Sequence, residues 1–228
     1  MSSVILALES ATEACSAALW HDGVVYQRLE VAPRRHAELL LPQCEAVLAE
    51  AGLARTAVDA VAFGRGPGAF TGLRIAAGIA QGLSMGLDRP VVPVSSLAAL
   101  AASAGRARGV DRVLAALDAR MGEVYWGGYQ HDGDAWIRTI EEVVLSPEAV
   151  TVPTASKWFG AGSGWEAHGE TLRARMARGR AELGEVEADR YPEAAAVAEL
   201  AMAILAAGGG TVAAEAAPVY LRPWRPGS

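Results

Sequence analysis

The chain has 228 residues, 52% of them hydrophobic and 20% charged, which supplies a packed core and excludes an intrinsically disordered protein. A formal net charge of −6 argues against a stand-alone binder of phosphate backbone, which shows a basic face. The two cysteines, Cys15 and Cys44, have no CxxC spacing and no partner cluster, so they read as free buried thiols and not as a disulfide framework or zinc site. The opening MSSVILALESA has no basic n-region, and no apolar run approaches the ~18 residues of a membrane span. A cytoplasmic protein with neither membrane nor DNA as partner is expected.

In chain order, VILAL (4–8) and CSAALW (15–20) read as buried strands, and VVYQRLE (24–30) as a third after a His21-Asp22-Gly23 turn. From His36 to Ala51 apolar residues recur at helical spacing, with Pro42 expected to bend the helix or mark its start, and Gly52 closes it. VDAVAFG (58–64) is a strand, followed by a glycine and proline loop and a small-residue helix from Thr71 to Leu87. VVPVSS (91–96) is a strand and 97–104 a helix. Strands at 112–120 and 123–130 meet at a Met121-Gly122 corner, and a further strand spans 135–145. The stretch 146–190 has little regular pattern apart from a charged helix over 166–180. A last apolar helix runs from Pro192 to Ala207, before a proline-rich tail. Two halves that each begin with strands and end with helices point to a duplication, although no strict repeat is visible.

Two segments carry candidate chemistry. Around Glu9, Ser10 and Thr12 (LESATEACSAAL, 8–19), backbone amides in the turn after the strand can form an anion-binding nest, or the hydroxyls can simply cap a hairpin turn. In GRGPGAFTGLRIA (64–76) the glycines miss both the Walker and the Rossmann spacing. Gly66 and Gly68 shape a sharp loop and Thr71 is placed to cap the following helix, whose N-terminus can meet an anion. A strand-to-helix turn that needs glycine for its dihedrals explains the same residues.

The first segment resembles the phosphate-loop strand of the actin and sugar-kinase superfamily, and the second closely resembles the GPGSFTGLRIG signature of the TsaB (YeaZ) family. HAELLLP (36–42), LDARMGEVYW (117–126), GSGW (162–165) and PVYLR (218–222) match further family segments in order, so the resemblance runs over nearly the whole chain. It implies a two-lobed α/β fold of the actin-like, ribonuclease-H-like (ASKHA) kind with a reduced second lobe. The lobes are expected at 1–103 and 104–190, with 191–228 as a helix and tail packing back on the first.

The resemblance further implies a non-catalytic scaffold that dimerises with TsaD, acts with the ATPase TsaE and is linked to TsaC and tRNA, in forming threonylcarbamoyladenosine beside the anticodon. No cofactor is then intrinsic: ATP or ADP and a metal ion belong to TsaD, which holds its metal on an HxxxH pair. Here His36 is followed four residues later by Leu40, and one histidine makes no site. His21, His131 and His168 have no partner at ligand spacing, and no Ser-His-Asp arrangement can be placed. Glu9 stands where an aspartate is usual, which weakens a nucleotide reading of Glu9, Ser10, Thr12, Gly66, Gly68 and Thr71 and makes them a vestigial loop. The partner surface is expected on the two helices, at His36, Leu39, Leu40 and Val47, and at Gly72, Leu73, Ala76, Ile79, Ala80 and Leu83, where small residues permit close helix approach. The same patch predicts a homodimer in isolation. Arg222, Trp224 and Arg225 could touch RNA or a partner. Rival readings are an ATPase or carbamoyltransferase using the loops at 8–12 and 64–71, and a glycoprotease-like peptidase.

Overall fold

The computed structural model describes residues 3–154, 156–179 and 181–222. Strands β1 (Ile5–Glu9), β2 (Ala14–His21) and β3 (Val24–Val31) form an antiparallel meander. Its second turn uses Asp22 and Gly23 at φ of 51° and 79°, the left-handed pair a two-residue hairpin needs. β4 (Ala60–Gly64) and β5 (Val91–Val94) then add parallel to β1, in the order β3-β2-β1-β4-β5. Parallel addition requires crossovers, supplied by α1 (His36–Glu50) and α2 (Phe70–Leu87). α1 runs through Pro42 from His36, so the proline does not mark its start.

Side-chain alternation along β1 divides the core. Leu6 and Leu8 pack with Leu40 and Val47 of α1 and Ala76 and Ala80 of α2. Ile5 and Ala7 pack on the other face with α5 (Ala194–Ala206), whose buried alanines let the helix lie close to the sheet. The start of α5 is fixed by Ser16 Oγ and Gln27 Oε1, which accept the Ala194 and Ala195 N–H at 2.9 and 2.8 Å.

The second sheet repeats the first strand for strand. β6 (Arg112–Arg120), β7 (Glu123–His131) and β8 (Trp136–Leu145) form the meander, and β9 (Lys157–Ala161) and β10 (Glu182–Glu187) add parallel, in the order β8-β7-β6-β9-β10. Where the first half has α1, the second has a single 3-10 turn at Pro147–Ala149. α4 (Gly164–Arg178) covers one face with Trp126, Trp158 and Trp165. α3 (Ser96–Arg108) covers the other with Leu97, Leu100, Val113 and Tyr129. The layers therefore run α1 with α2, first sheet, α5 with α3, second sheet, α4.

β9 and β10 correct the irregular reading of 146–190. Gly160 lies in β9 not to turn the chain but because Trp165 and Val186 press on it, where a Cβ would lie 2.8 and 2.9 Å from their atoms. β10 is a half-buried edge strand (ELGEVE) with an irregular register, and its three glutamates and Gly184 break the period-two pattern that would mark it.

After α5 the chain pairs Thr211 with Val91, buries Ala216 under the first core and donates the Val219 N–H to the Arg65 carbonyl at 2.7 Å. Arg222 then reaches the second half, donating to the Ala119 carbonyl at 3.0 Å and pairing with Glu123. Trp224 and Arg225 lie outside the described residues. No helix among the described residues is long and apolar enough to cross a membrane.

Candidate functional site

β1 and β4 are parallel neighbours, so the turn after Glu9 and the loop after Gly64 emerge side by side, where ligands of open α/β sheets bind. The two segments singled out by sequence do meet there. The Ala69 N–H donates to the Ala11 carbonyl at 2.7 Å and Ser10 Oγ donates to the Gly72 carbonyl at 2.9 Å. A Cβ on Gly68 would strike the Ala11 carbonyl, and one on Gly72 the Ser10 carbonyl. Backbone lies directly on backbone, which glycine alone permits. Gly66, at φ 99°, sits against Leu73 and the Val219 carbonyl. Thr12 Oγ1 accepts the Ala14 N–H at 3.2 Å. Thr71 does not cap: α2 begins at Phe70 with Ala69 as its N-cap residue, and Thr71 is exposed in the first turn.

Glu9 is 1% exposed, above Gly64. One carboxylate oxygen accepts the Ala11 N–H at 2.7 Å and the other the Ser96 hydroxyl at 2.8 Å. Burial pushes its carboxyl up to about 7 despite these hydrogen bonds. The chain's own carboxylate thus occupies the place an external anion would take in the turn, while Gly68 and Gly72 lie on the backbone of Ala11 and Ser10 beside it.

A second cluster, not assembled by sequence reasoning, lies at the end of β6. Ser163 Oγ accepts the Asp118 N–H at 3.1 Å, and Asp118 pairs with Arg120 at 3.0 Å. His168 Nε2 is 3.7 Å from Asp118 Oδ1, beyond a hydrogen bond, and is buried without a partner. No hydrogen bond joins Ser163 to His168 among the described residues, so the three do not form a nucleophile, base and orienter in series. The matches at LDARMGEVYW and GSGW contain Asp118 and Ser163, but no sequence spacing brings them together.

The comparisons decide the family. A protein of Escherichia coli (strain K12) named tRNA threonylcarbamoyladenosine biosynthesis protein TsaB is 42% identical over 96% of this chain and 94% of its own length. The TsaB of Haemophilus influenzae (strain ATCC 51907 / DSM 11121 / KW20 / Rd) is 39% identical over 96% and 93%. The chain belongs to the TsaB (YeaZ) family. YeaZ from Pseudomonas aeruginosa superposes with a TM-score of 0.90 at 49% identity, covering 96% of this chain and all of that one. A family model described as TsaD, tRNA N6-adenosine threonylcarbamoyltransferase, matches residues 29–215 and leaves out the Glu9 turn. The α/β fold with its two five-stranded sheets is accordingly the actin-like one.

The HxxxH metal site that the TsaB resemblance assigns to TsaD does not fit these residues. His36 is 8% exposed and its Nε2 is hydrogen-bonded to the Thr12 carbonyl at 2.8 Å, while Leu40 is fully buried in the core.

The expected TsaB partner surface needs correction. His36, Leu40, Val47, Gly72, Leu73, Ala76 and Ala80 are buried, leaving Leu39, Ile79 and Leu83 half-buried. The outward faces of α1 and α2 instead present Leu41 (43% exposed), Phe70 (60%) and Met85 (76%). Between the helices a groove of about 170 Å³ is lined by Leu41, Cys44, Leu48, Leu83 and Leu87. Arg74 stacks on Phe70 at 3.2 Å from the ring centroid, and Tyr220 lies 5.4 Å from the same ring. Cys15 and Cys44 are free and buried, and burial pushes their thiols up to about 11 and about 12.

Proposed function

We propose that this chain serves tRNA threonylcarbamoyladenosine biosynthesis as a non-catalytic scaffold that binds TsaD. TsaE completes the assembly, and TsaC supplies the activated threonylcarbamoyl group destined for tRNA. Full-length similarity to proteins named TsaB supports the pathway. The observation that carries the scaffold role is the self-filled turn, in which Glu9 takes the Ala11 and Ser96 donors and Gly68 and Gly72 seal the space a phosphate would need. The exposed Leu41, Phe70 and Met85 beside the α1–α2 groove supply a contact face for TsaD, and for a second copy when TsaD is absent.

Light scattering after size exclusion, on the chain alone and mixed with TsaD from the same organism, tests this. A homodimer alone, a mixed complex with TsaD, and loss of both in the Leu41→Glu, Met85→Glu double variant are expected. The family model's transferase description favours a rival, an enzyme using the 8–12 and 64–71 loops. Magnesium-dependent ATP turnover by the lone chain, without a mixed complex, would establish that rival.

A further inference from the structure

A cleft of about 420 Å³ opens between α3, α5 and the β7–β8 hairpin, and none of the Glu9–Thr12 turn lines it. Its volume is in the range of small-molecule sites, and it joins an apolar wall to a few converging polar groups, as such sites do. The wall is Ala98 and Ala102 of α3, Leu200, Ala203 and Ile204 of α5, and Trp136. Alanine at three of these positions leaves the volume open, because a larger side chain at any of them would fill part of it.

Arg65 enters this cleft from a fixed base. Its N–H donates to the Val94 carbonyl at 2.7 Å, its carbonyl accepts the Val219 N–H at 2.7 Å, and the next carbonyl, of Gly66, accepts the Ser96 N–H at 2.9 Å. Among the described residues no carboxylate pairs with its guanidinium, whereas Arg138 in the same lining is paired with Glu141 at 3.2 Å. Deeper in, Tyr129 is 2% exposed, donates to Glu142 at 2.6 Å and lies 3.4 Å from the Ser95 hydroxyl.

We propose that this cleft binds a small monocarboxylic acid with an apolar body, its carboxylate on the Arg65 guanidinium and its body against the alanine and leucine surface of α3 and α5. The planar guanidinium fork matches a carboxylate. Glu142 and Glu199 line the same space and repel a second negative charge, which disfavours a phosphate dianion. This site is independent of the TsaD contact, since the cleft and the Leu41–Met85 face share no residue.

The test is a titration of the full chain with 4-fluorobenzoate, followed by fluorine NMR. Saturable binding is expected in the submillimolar range. Arg65→Gln should weaken it at least about tenfold, the loss typical of one charge-assisted contact. Ala203→Trp should block it by filling the mouth from an exposed helix position, which keeps the test alive if Arg65→Gln disturbs the loop. Arg120→Gln, an exposed arginine outside the cleft, should leave it unchanged. Absence of saturation up to about 10 mM, or binding that survives both cleft variants, would overturn the site. Inorganic phosphate competing as strongly as the carboxylate would overturn the ligand class.

Discussion

Glu9 and Asp118 stand near the C-terminal ends of the central strands of two sheets with one strand order, and their surroundings differ throughout. Glu9 is sealed, with Gly64 beneath it and both oxygens satisfied by Ala11 and Ser96. Asp118 keeps 19% of its side chain in solvent and pairs with Arg120, beside a turn whose Met121 is 80% exposed. Topology made the two positions comparable, and local residues separated them. The first half has a full crossover helix, α1, that the second lacks, whereas both halves set loop glycines on backbone of the central strand or the turn after it, Gly162 lying on the Ala116 carbonyl as Gly68 lies on that of Ala11. Where a 3-10 turn replaces the helix, the end of the central strand stays open to water and to the incoming Arg222.

The largest break in this comparison should come from the crossover itself. Leu40 and Val150 occupy equivalent connections and both are fully buried, one on a helix packed against the sheet and the other beside the short turn. Leu40→Ala is expected to cost about 4 kcal/mol, from lost burial plus the cavity left behind. Val150→Ala removes less volume and should cost about 2 kcal/mol. Urea unfolding measures both, and equal losses would mean that the 3-10 turn anchors its half as firmly as α1 does.

Next comes the seal beside Glu9. Gly72→Ala places a methyl on the Ser10 carbonyl, backbone that cannot swing aside, and should cost about 3 kcal/mol. Gly78→Ala, in the same helix with no atom within 4 Å of the new Cβ, should instead stabilise by about 0.7 kcal/mol. The opposite signs of one substitution, read as midpoint shifts in urea, separate close approach from helix propensity.

Glu9 also gives the seal a pH signature. The folded carboxyl keeps its proton up to about pH 7, and the unfolded one loses it near 4.5. Between those values the folded state binds more protons, so stability falls as pH rises through the window, by roughly 3 kcal/mol in all. Glu9→Gln cannot ionise and should flatten that slope, and it should exceed the parent in stability above pH 7. Parallel curves for the two proteins in urea at pH 5, 6 and 7.5 would place the dependence on other groups.

Much of this architecture was legible in the sequence, because VILAL and AVAF (60–63) are unbroken apolar runs and the residues from His36 repeat at helical spacing. The pairing of the Glu9 and Gly64 segments was legible too, as chemistry. Its closure was not, since the contact of Gly72 with the Ser10 carbonyl depends on how two loops lie in space. The surface residues were misplaced for a related reason. Apolar periodicity marks the face of a helix that will be buried, without distinguishing the chain's own sheet from a partner, so Leu40 and Ala76, expected on a partner surface, lie in the chain's own core. Arg65 escaped notice because a single arginine in a glycine loop has no pattern, and its significance comes from the walls around it.

The smallest expected effect bears on how the halves are joined. Arg222 spans them by donating to the Ala119 carbonyl and pairing with Glu123, and both charged side chains are more than one-third exposed. Such a pair is screened by water, so Arg222→Ala should cost only about 0.5 kcal/mol of global stability. Its local consequence should be larger, because the Val219 N–H bond to Arg65 and the Tyr220 contact with Phe70 lie just upstream and hold the same segment. Faster amide exchange confined to residues 217–222 and 119–123 is expected, with the β1 and β6 amides unchanged. Acceleration that spreads into β6 would mean that the tail stabilises the second half as a whole. The missing helix would then be compensated by the chain's last described residues, and the two halves would be far less independent than their shared strand order implies.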